Sequence, residues 1–159
     1  MGVSTSTKET SLHYFRDPLI NVVSSDKDID LAGIIIVGTP QDNESKYFLG
    51  DRVADCAEAM RLDGVIISSE GWGNDHVDFS NTIEQLSKRG ISVSGLSFIG
   101  NEGFVVSNKY MDTIVDFNKS EDGYETGIIG ENNTNELDAR KALAFLKLKM
   151  QKKTKMLEP

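Results

Sequence analysis

Three short apolar runs, each separated from the next by a segment with helical spacing, constrain the fold of this chain most. Residues 34–37 read IIIV, residues 65–68 read VIIS and residues 91–100 read ISVSGLSFIG. Continuous rather than alternating hydrophobicity is typical of strands that are covered on both faces, as in a parallel sheet. The sequence therefore predicts three buried strands at these positions.

The segments between the runs have the pattern of amphipathic helices. Apolar side chains recur at i, i+4 and i+7 in both segments, so each set shares one helical face. These sets are Val53, Ala57 and Met60, and then Phe79, Ile83 and Leu86. Gly90 follows the second set as the expected helix-ending residue. Strands that alternate with helices through short connections indicate right-handed βαβ units and a parallel sheet.

The pattern changes after residue 110. Residues 113–117 and 125–129 read as two strands joined by the turn-rich NKSEDG, which is typical of a hairpin at a sheet edge. A last helix is predicted with Asn133 as N-cap and Glu136 at the third helical position. Its packed stripe is Ala139, Leu143, Leu146 and Met150. The predicted fold is α/β: a three-layer, mostly parallel sheet of flavodoxin or Rossmann type, with an antiparallel hairpin near the C-terminal end and a C-terminal helix.

Composition indicates how the chain is divided into segments and which classes of partner are disfavoured. We predict a flexible polar arm over residues 1–12, a single α/β domain over residues 13–151 and a basic tail over residues 152–159. The formal net charge of −8 disfavours nucleic acid as a general partner. No segment approaches the roughly 18 apolar residues of a membrane span, and the N-terminus lacks the apolar core of a signal peptide. The expected location is the cytoplasm, with no membrane contact.

Chemistry is expected at the carboxyl ends of the strands, where ligands bind to open parallel sheets. Two stretches there contain the candidate residues of a ligand-binding or interface loop: Gly38, Thr39, Trp72, Gly73, Asn74, Asp75 and His76. His76 and Asp78 could act as an oriented acid–base pair, with Glu70 as a further carboxylate. An alternative remains open, in which Asp75 or Asp78 caps the following helix and the glycines permit positive φ in the turn.

Several classes of site are disfavoured. No GxGxxG, GxxxxGK[ST] or GxSxG pattern occurs at these turns, so dinucleotide, P-loop and hydrolase sites lack their sequence signatures. One cysteine and two histidines, far apart in sequence, argue against a metal site. The cysteine, Cys56, lies in a predicted helix, where a small buried thiol is the expected role.

VGTPQDN, EGWGNDHVDF, NKYMDTIVDFNKS and the ending LDARKALAFLKLKM carry a resemblance to a known family. The chain resembles the C-terminal part of D-proline reductase proproteins, which form one family with component B of the glycine, sarcosine and betaine reductases. The resemblance covers roughly residues 30–150. It implies amino-acid fermentation and proline metabolism in an anaerobic bacterium, with reductive cleavage of D-proline to 5-aminovalerate. In that family a pyruvoyl group, formed by self-cleavage at a cysteine, works with a selenocysteine on a partner subunit.

The chain departs from this scheme because Cys56 lies inside a predicted helix that a cut would sever, and because selenocysteine is absent. No cofactor is therefore expected in this chain. We predict an accessory or paralogous subunit of a D-proline reductase-type complex that is not catalytic alone. Its partners would be the other subunits, including a selenoprotein, and a homo-oligomer is an open alternative. The alternatives are a stand-alone amino-acid binding module, or an enzyme that uses the loops at the carboxyl ends of the strands.

Overall fold

The computed structural model describes residues 18–69, 73–98, 104–117 and 134–157. These residues form four helices and three strands. In chain order they are α1 (Pro18–Ser24), α2 (Asn43–Ala59), β1 (Gly64–Ser69), α3 (Asp75–Lys88), β2 (Ser92–Ser97), β3 (Ile114–Asp116) and α4 (Glu136–Leu157). Within these ranges, no helix is long and apolar enough to cross a membrane.

The three strands form one parallel sheet in the order β1-β2-β3. Val65 of β1 pairs with Val93 of β2, and Leu96 of β2 pairs with Val115 of β3. The predicted α/β class, the second and third predicted strands and the C-terminal helix are confirmed. Three strands do not support the more specific flavodoxin or Rossmann type, since such sheets contain at least five.

Helices cover both faces of the sheet. On one face, the α3 side chains Phe79, Ile83 and Leu86 pack with Val65 and Ile67 of β1. On the other face, α4 packs against the strands through side chains that include Ala142 and Leu143. Helix α1 lies on α4, whereas the backbone of α2 lies beside α3 alone among the described elements. Period-2 alternation in β1 directs Ile66 to the α4 face and its two neighbours to the α3 face.

The helix ends follow from local side-chain chemistry. Asp42 precedes α2, and its carboxylate accepts a hydrogen bond from the Ser45 N–H at 2.8 Å. Gly90 has a φ of +76° just after Arg89, the C-cap of α3, and the Ile91 N–H bonds back to the Leu86 carbonyl at 3.1 Å. This left-handed residue reverses the chain toward β2, which confirms the predicted role of Gly90.

The N-terminus of α4 corrects one prediction. The helix begins at Glu136, and the Asn135 side chain accepts from the Asp138 N–H at 3.0 Å. The Asp138 carboxylate accepts from the Asn135 N–H at 3.0 Å in return. The reciprocal pair makes Asn135 the capping residue, two positions after the predicted Asn133, which lies outside the described residues. Both residues are asparagines in NNTNELD, so sequence alone could not choose between them.

The first predicted strand is wrong. Residues 34–37 have no strand partner among the described residues, and Ile34, Ile35 and Ile36 are 62%, 43% and 73% exposed. A β-branched run favours an extended backbone, but a strand also needs a neighbour that offers its ladder of N–H and C=O groups.

The predicted antiparallel hairpin is not supported either. Its first strand exists as β3, which pairs in parallel with β2, and the Gly95 N–H bonds to the Thr113 carbonyl at 3.0 Å. Its second strand, over residues 125–129, lies outside the described residues. Turn-rich composition indicates where a strand ends but not which neighbour it will join.

Lysines of the C-terminal helix bind the body of the domain. Lys149 donates to the Val93 carbonyl at 2.9 Å, and Lys153 donates to the Gly90 carbonyl at 2.6 Å. The predicted division into arm, domain and tail stays a prediction, although α4 continues to Leu157. The two lysines near the end of α4 therefore bind backbone carbonyls of the same chain.

Candidate functional site

Polar side chains of α2 and α3 meet near the carboxyl end of β1. The turn before α3 contains Gly73, whose φ of +57° is a left-handed conformation that glycine adopts without strain. Asn74 follows, and its side-chain amide donates to the Gln41 carbonyl at 3.1 Å. This bond holds the loop before α2 against the loop before α3. We call Lys46, Ser69, Asp75, His76 and Asp78 the carboxyl-edge cluster.

His76 is fully buried in the first turn of α3. Its Nδ1 accepts hydrogen bonds from the backbone N–H groups of Val105 and Val106, both at 3.3 Å. Its ring lies 4.8 Å from the ring of Phe104 between centroids. Because Nδ1 accepts, the proton of the neutral ring sits on Nε2. Nε2 is a buried donor with no hydrogen-bond partner among the described residues.

Burial sets the charge of His76. Desolvation lowers the pKa of the imidazole below 6.5, and the nearby Asp75 carboxylate offsets part of that effect. The ring is therefore neutral at physiological pH and acts as a hydrogen-bond donor through Nε2.

Lys46 and Asp78 form a buried ion pair between α2 and α3. Lys46 is 1% exposed, and its Nζ donates to the Asp78 Oδ2. Burial raises the pKa of Asp78, while the Lys46 ammonium pulls that pKa back down. Asp75, in the same turn of α3, accepts from the Ser69 hydroxyl at the end of β1.

A close approach of the two helices makes this pair possible. A Cβ on Gly50 would meet the Asn81 side-chain amide, so a larger residue there would displace that side chain. The same amide donates to the Lys46 carbonyl at 3.4 Å. The resulting helix contact directs the lysine side chain toward Asp78 and away from solvent.

The predicted site residues lie in different parts of the structure. Asn74, Asp75, His76 and Asp78 come together at the first turn of α3, next to Gly73. Gly38 and Thr39 lie in an exposed loop before α2. Glu70 and Trp72 lie outside the described residues. The roles predicted for all of them remain predictions.

Two local expectations are corrected. Neither Asp75 nor Asp78 caps α3: Asn74 is the N-cap residue, with helical backbone angles and no side-chain cap bond. His76 and Asp78 do not form a hydrogen-bonded acid–base pair, since Nδ1 accepts from two backbone N–H groups and Asp78 binds Lys46. Residues two apart on a helix point in directions that differ by about 200°, which keeps the side chains separate.

Sequence reasoning missed Lys46. A usable signal exists, because Lys46, Gly50, Ala54 and Ala57 follow at i, i+4, i+8 and i+11 and form the buried stripe of α2. A lysine on the stripe of small residues must find a buried carboxylate. Cys56 was expected to be buried and is exposed, since it lies one position off that stripe.

The cluster combines one cation, two carboxylates and a buried neutral donor at the edge where ligands meet parallel sheets. Such a set can bind a polar ligand by hydrogen bonds and charge. No group of three or more metal-ligating side chains occurs in the part of the chain that the structure describes.

The stability of the fold should depend on His76 in mildly acidic solution. Because the folded pKa lies below 6.5, its stability contribution is present above that pH and is lost as pH falls through the folded pKa. Urea unfolding between about pH 7.5 and pH 5.5 should show a falling free energy in wild type and a flatter slope in His76→Asn, whose amide oxygen still accepts a hydrogen bond. His13→Asn is the matched control, and a flatter slope there instead would assign the titration to His13.

Comparisons with known proteins place this geometry in context. The family model of glycine/sarcosine/betaine reductase component B subunits matches residues 2–128. The D-proline reductase proprotein PrdA of Acetoanaerobium sticklandii is 44% identical over 146 residues, which is 91% of this chain and 23% of that protein. The glycine reductase complex component B subunits alpha and beta of the same organism are 32% identical over 111 residues, 64% of this chain and 24% of that protein.

A third relative is more distant. The sarcosine reductase complex component B subunit alpha of Peptoclostridium acidaminophilum is 27% identical over 105 residues, 64% of this chain and 24% of that protein. The chain thus spans about a quarter of the length of these curated relatives. No solved structure matches it.

Proposed function

The chain belongs to the family of glycine/sarcosine/betaine reductase component B subunits, and on that premise we propose that it is a subunit of a D-proline reductase-type complex. In this role it would bind the other subunits, a selenoprotein among them, in a complex that cleaves D-proline reductively to 5-aminovalerate. It would do so in the cytoplasm of an amino-acid-fermenting anaerobe. The chain would contribute a binding domain and no prosthetic group.

The observation that carries this proposal is the uneven coverage. Similarity to the D-proline reductase proprotein extends over 91% of this chain but only 23% of that protein. The chain therefore corresponds to one part of a larger catalytic protein. A domain that is 44% identical to the corresponding part of the proprotein has the same core. Similarity at this level also commonly includes the surfaces that bind partners.

The residues of this chain do not fit the pyruvoyl group that the family resemblance implies. That group arises by cleavage at a cysteine, and the cysteine of this chain, Cys56, lies inside α2, more than three turns after the helix begins at Asn43. The Met60 N–H bonds to the Cys56 carbonyl at 3.0 Å, so a cut there would break the helix that holds Lys46 against Asp78. No step is assigned to a pyruvoyl group in this chain.

Co-purification tests the proposal. A tagged chain, expressed in a proline-fermenting host that contains the reductase, should recover the reductase subunits in constant ratio. Trp72→Ala, in the loop we expect at the interface, should reduce recovery about tenfold or more, because buried tryptophans dominate many interfaces. Lys88→Ala, at the other end of α3, is the control. Recovery of the tagged chain alone would reject the proposal.

A second candidate function rests on the buried Nε2–H of His76, which has no partner among the described residues. Such a donor suits the carboxylate of an amino acid. Thermal unfolding with D-proline, L-proline, glycine or betaine should then show a rise in Tm that His76→Asn abolishes. No rise with any of the four ligands would reject this candidate and leave the first one standing.

A further inference from the structure

The side of α4 that faces away from the sheet is both apolar and basic. Three large apolar side chains on that side, Leu137, Phe145 and Leu148, are 59%, 38% and 47% exposed. A helix on the surface of a domain normally turns polar residues to solvent. Three exposed lysines share the same side of the helix. We define the outer face of α4 as these six residues: Leu137, Lys141, Phe145, Leu148, Lys152 and Lys155.

The six residues form one continuous stripe along the helix. They follow one another at spacings of four, four, three, four and three residues. At about 3.6 residues per turn, these spacings keep the stripe within roughly a quarter of the helix circumference. The buried residues Ala139, Leu143 and Leu146 lie on the opposite side. The outer face therefore points away from the sheet over about 27 Å of helix.

The lysines of the outer face differ from the other cations of α4 because they have no partner. Each of the other four basic side chains binds an acidic side chain or a backbone carbonyl of this chain: Arg140, Lys147, Lys149 and Lys153. Among the described residues, no side-chain ion pair or hydrogen bond involves Lys141, Lys152 or Lys155. The fold thus compensates the charges on the flanks of α4 and leaves three charges on its outer face uncompensated.

Two copies of this face do not suit each other. In a symmetric contact, the same residues of both copies lie against one another. An antiparallel pair of α4 helices centred between Phe145 and Leu148 sets Lys141 against Lys152, and a parallel pair sets each lysine against its own copy. Like charges at neighbouring positions repel. The charges therefore favour an acidic partner over a second copy of this chain.

A lipid surface suits the outer face less well than a protein does. Helices that lie in a membrane interface separate a wide apolar face from their lysines. On α4, Lys141 and Lys152 share one stripe with Phe145 and Leu148, so lipid that covered the apolar side chains would also cover the lysines. The formal net charge of −8 also repels an anionic leaflet. A protein helix with its own carboxylates satisfies both kinds of residue.

We propose that the outer face of α4 binds an acidic amphipathic helix of another subunit, an inference that rests on the proposed role of this chain in a reductase complex. Apolar side chains of that helix pack on Phe145 and Leu148, and its carboxylates lie opposite Lys141, Lys152 and Lys155. Helices that pack side by side make contact over several turns, and the outer face spans about five. The complementary charges select the partner and set its register, and the apolar contacts supply most of the affinity.

Charge reversal on the tagged chain tests this face. The combined variant Lys141→Glu, Lys152→Glu and Lys155→Glu should lower the recovery of reductase subunits from a proline-fermenting host at least about tenfold, because each attraction becomes a repulsion. The matched control reverses three exposed lysines elsewhere and changes the net charge equally: Lys27→Glu, Lys88→Glu and Lys109→Glu. Its recovery should equal that of wild type. Circular dichroism should show the same helix content in both variants.

A single apolar replacement gives a second readout that leaves the charge unchanged. Leu148→Gln should lower recovery about tenfold, because it removes an apolar contact at the centre of the face and keeps the helix propensity. Met60→Gln is its control, since Met60 of the α2 C-terminus has the same exposed fraction of 47%. Recovery with Met60→Gln should stay at the wild-type level.

The outcomes distinguish this inference from the proposed function. Full recovery with both the triple reversal and Leu148→Gln would reject the outer face and leave the subunit role standing. Recovery of the wild-type chain alone would reject both. A native mass of twice 17.5 kDa that Leu148→Gln lowers would assign the face to a second copy and overturn the proposal. Sedimentation with vesicles of phosphatidylcholine and phosphatidylglycerol, abolished by Leu148→Gln, would assign it to lipid and overturn it as well.

Discussion

Replacement of Lys46 by methionine is expected to lower the free energy of unfolding by about 3 kcal/mol, because it leaves the Asp78 carboxylate without its buried partner. Lys46 is 1% exposed and the Asp78 side chain is 13% exposed, so water cannot replace the ammonium without opening the contact between α2 and α3. Urea unfolding at about pH 7.5, followed by circular dichroism, measures the loss.

The same experiment at lower pH tests the cause. Burial raises the pKa of Asp78 above its ordinary value of 3.8 even though the Lys46 ammonium lowers it, so Asp78 takes up a proton more readily in the folded state than in the unfolded chain. A group with a raised pKa contributes stability below its unfolded pKa and loses that contribution as pH rises through the folded pKa. The deficit of Lys46→Met relative to wild type should therefore shrink as the solution is acidified to about pH 4.

Two control variants sharpen this result. In Lys46→Met with Asp78→Leu, both charges are absent, and most of the lost stability should return. Lys88→Met removes the exposed pair between Lys88 and Glu84, whose side chains are 51% and 35% exposed, and should cost less than about 0.5 kcal/mol. Equal losses of unfolding free energy in Lys46→Met and Lys88→Met would show that the buried pair stabilises the fold no more than the exposed pair.

Truncation of Phe79 to alanine should destabilise the fold by about 3–5 kcal/mol. Phe79 is 1% exposed and lies at the centre of the cluster between α3 and the sheet. Its ring rests directly on β2, since a Cβ on Gly95 would lie 2.8 Å from the Phe79 Cζ. The backbone there cannot close the cavity that the ring leaves, so little of the loss is recovered by relaxation.

Phe48→Ala is the matched control for this variant. Phe48 also lies in a helix but is 60% exposed, so its truncation should cost under about 0.5 kcal/mol in the monomeric chain. Phe79→Leu should fall between the two, because leucine refills part of the space. A loss in Phe79→Ala no larger than in Phe48→Ala would contradict the described core.

A buried ion pair is weak support for stability, because desolvation of two charges offsets most of their attraction. Lys46 and Asp78 nevertheless lie together near the carboxyl end of β1, and parallel sheets commonly bind ligands at that edge. Apolar side chains in their place would hold α2 to α3 equally well. Their presence is better explained by the binding role proposed for this edge.

Sequence reasoning located α2, α3 and α4, because amphipathic spacing is a local property, but it did not predict α1. Phe79, Ile83 and Leu86 form the buried face of α3 as predicted. Of the face predicted for α2, only Ala57 is buried, and Met60 is 47% exposed. The loop before α3 was also predicted as a candidate site, because it follows a buried strand. The ion partner of Asp78 was not found, because Lys46 is 32 residues away and only packing joins them.

The sequence alone determined the α/β class, the parallel β1–β2 unit, the end of α3 at Gly90 and the family, since each depends on neighbours along the chain. Only the tertiary structure decided the rest: the parallel pairing of β3, the burial of Lys46, the neutral donor state of His76 and the exposure of residues 34–37. A short apolar run favours an extended backbone that becomes buried. The strand that pairs with it is determined by groups distant in sequence.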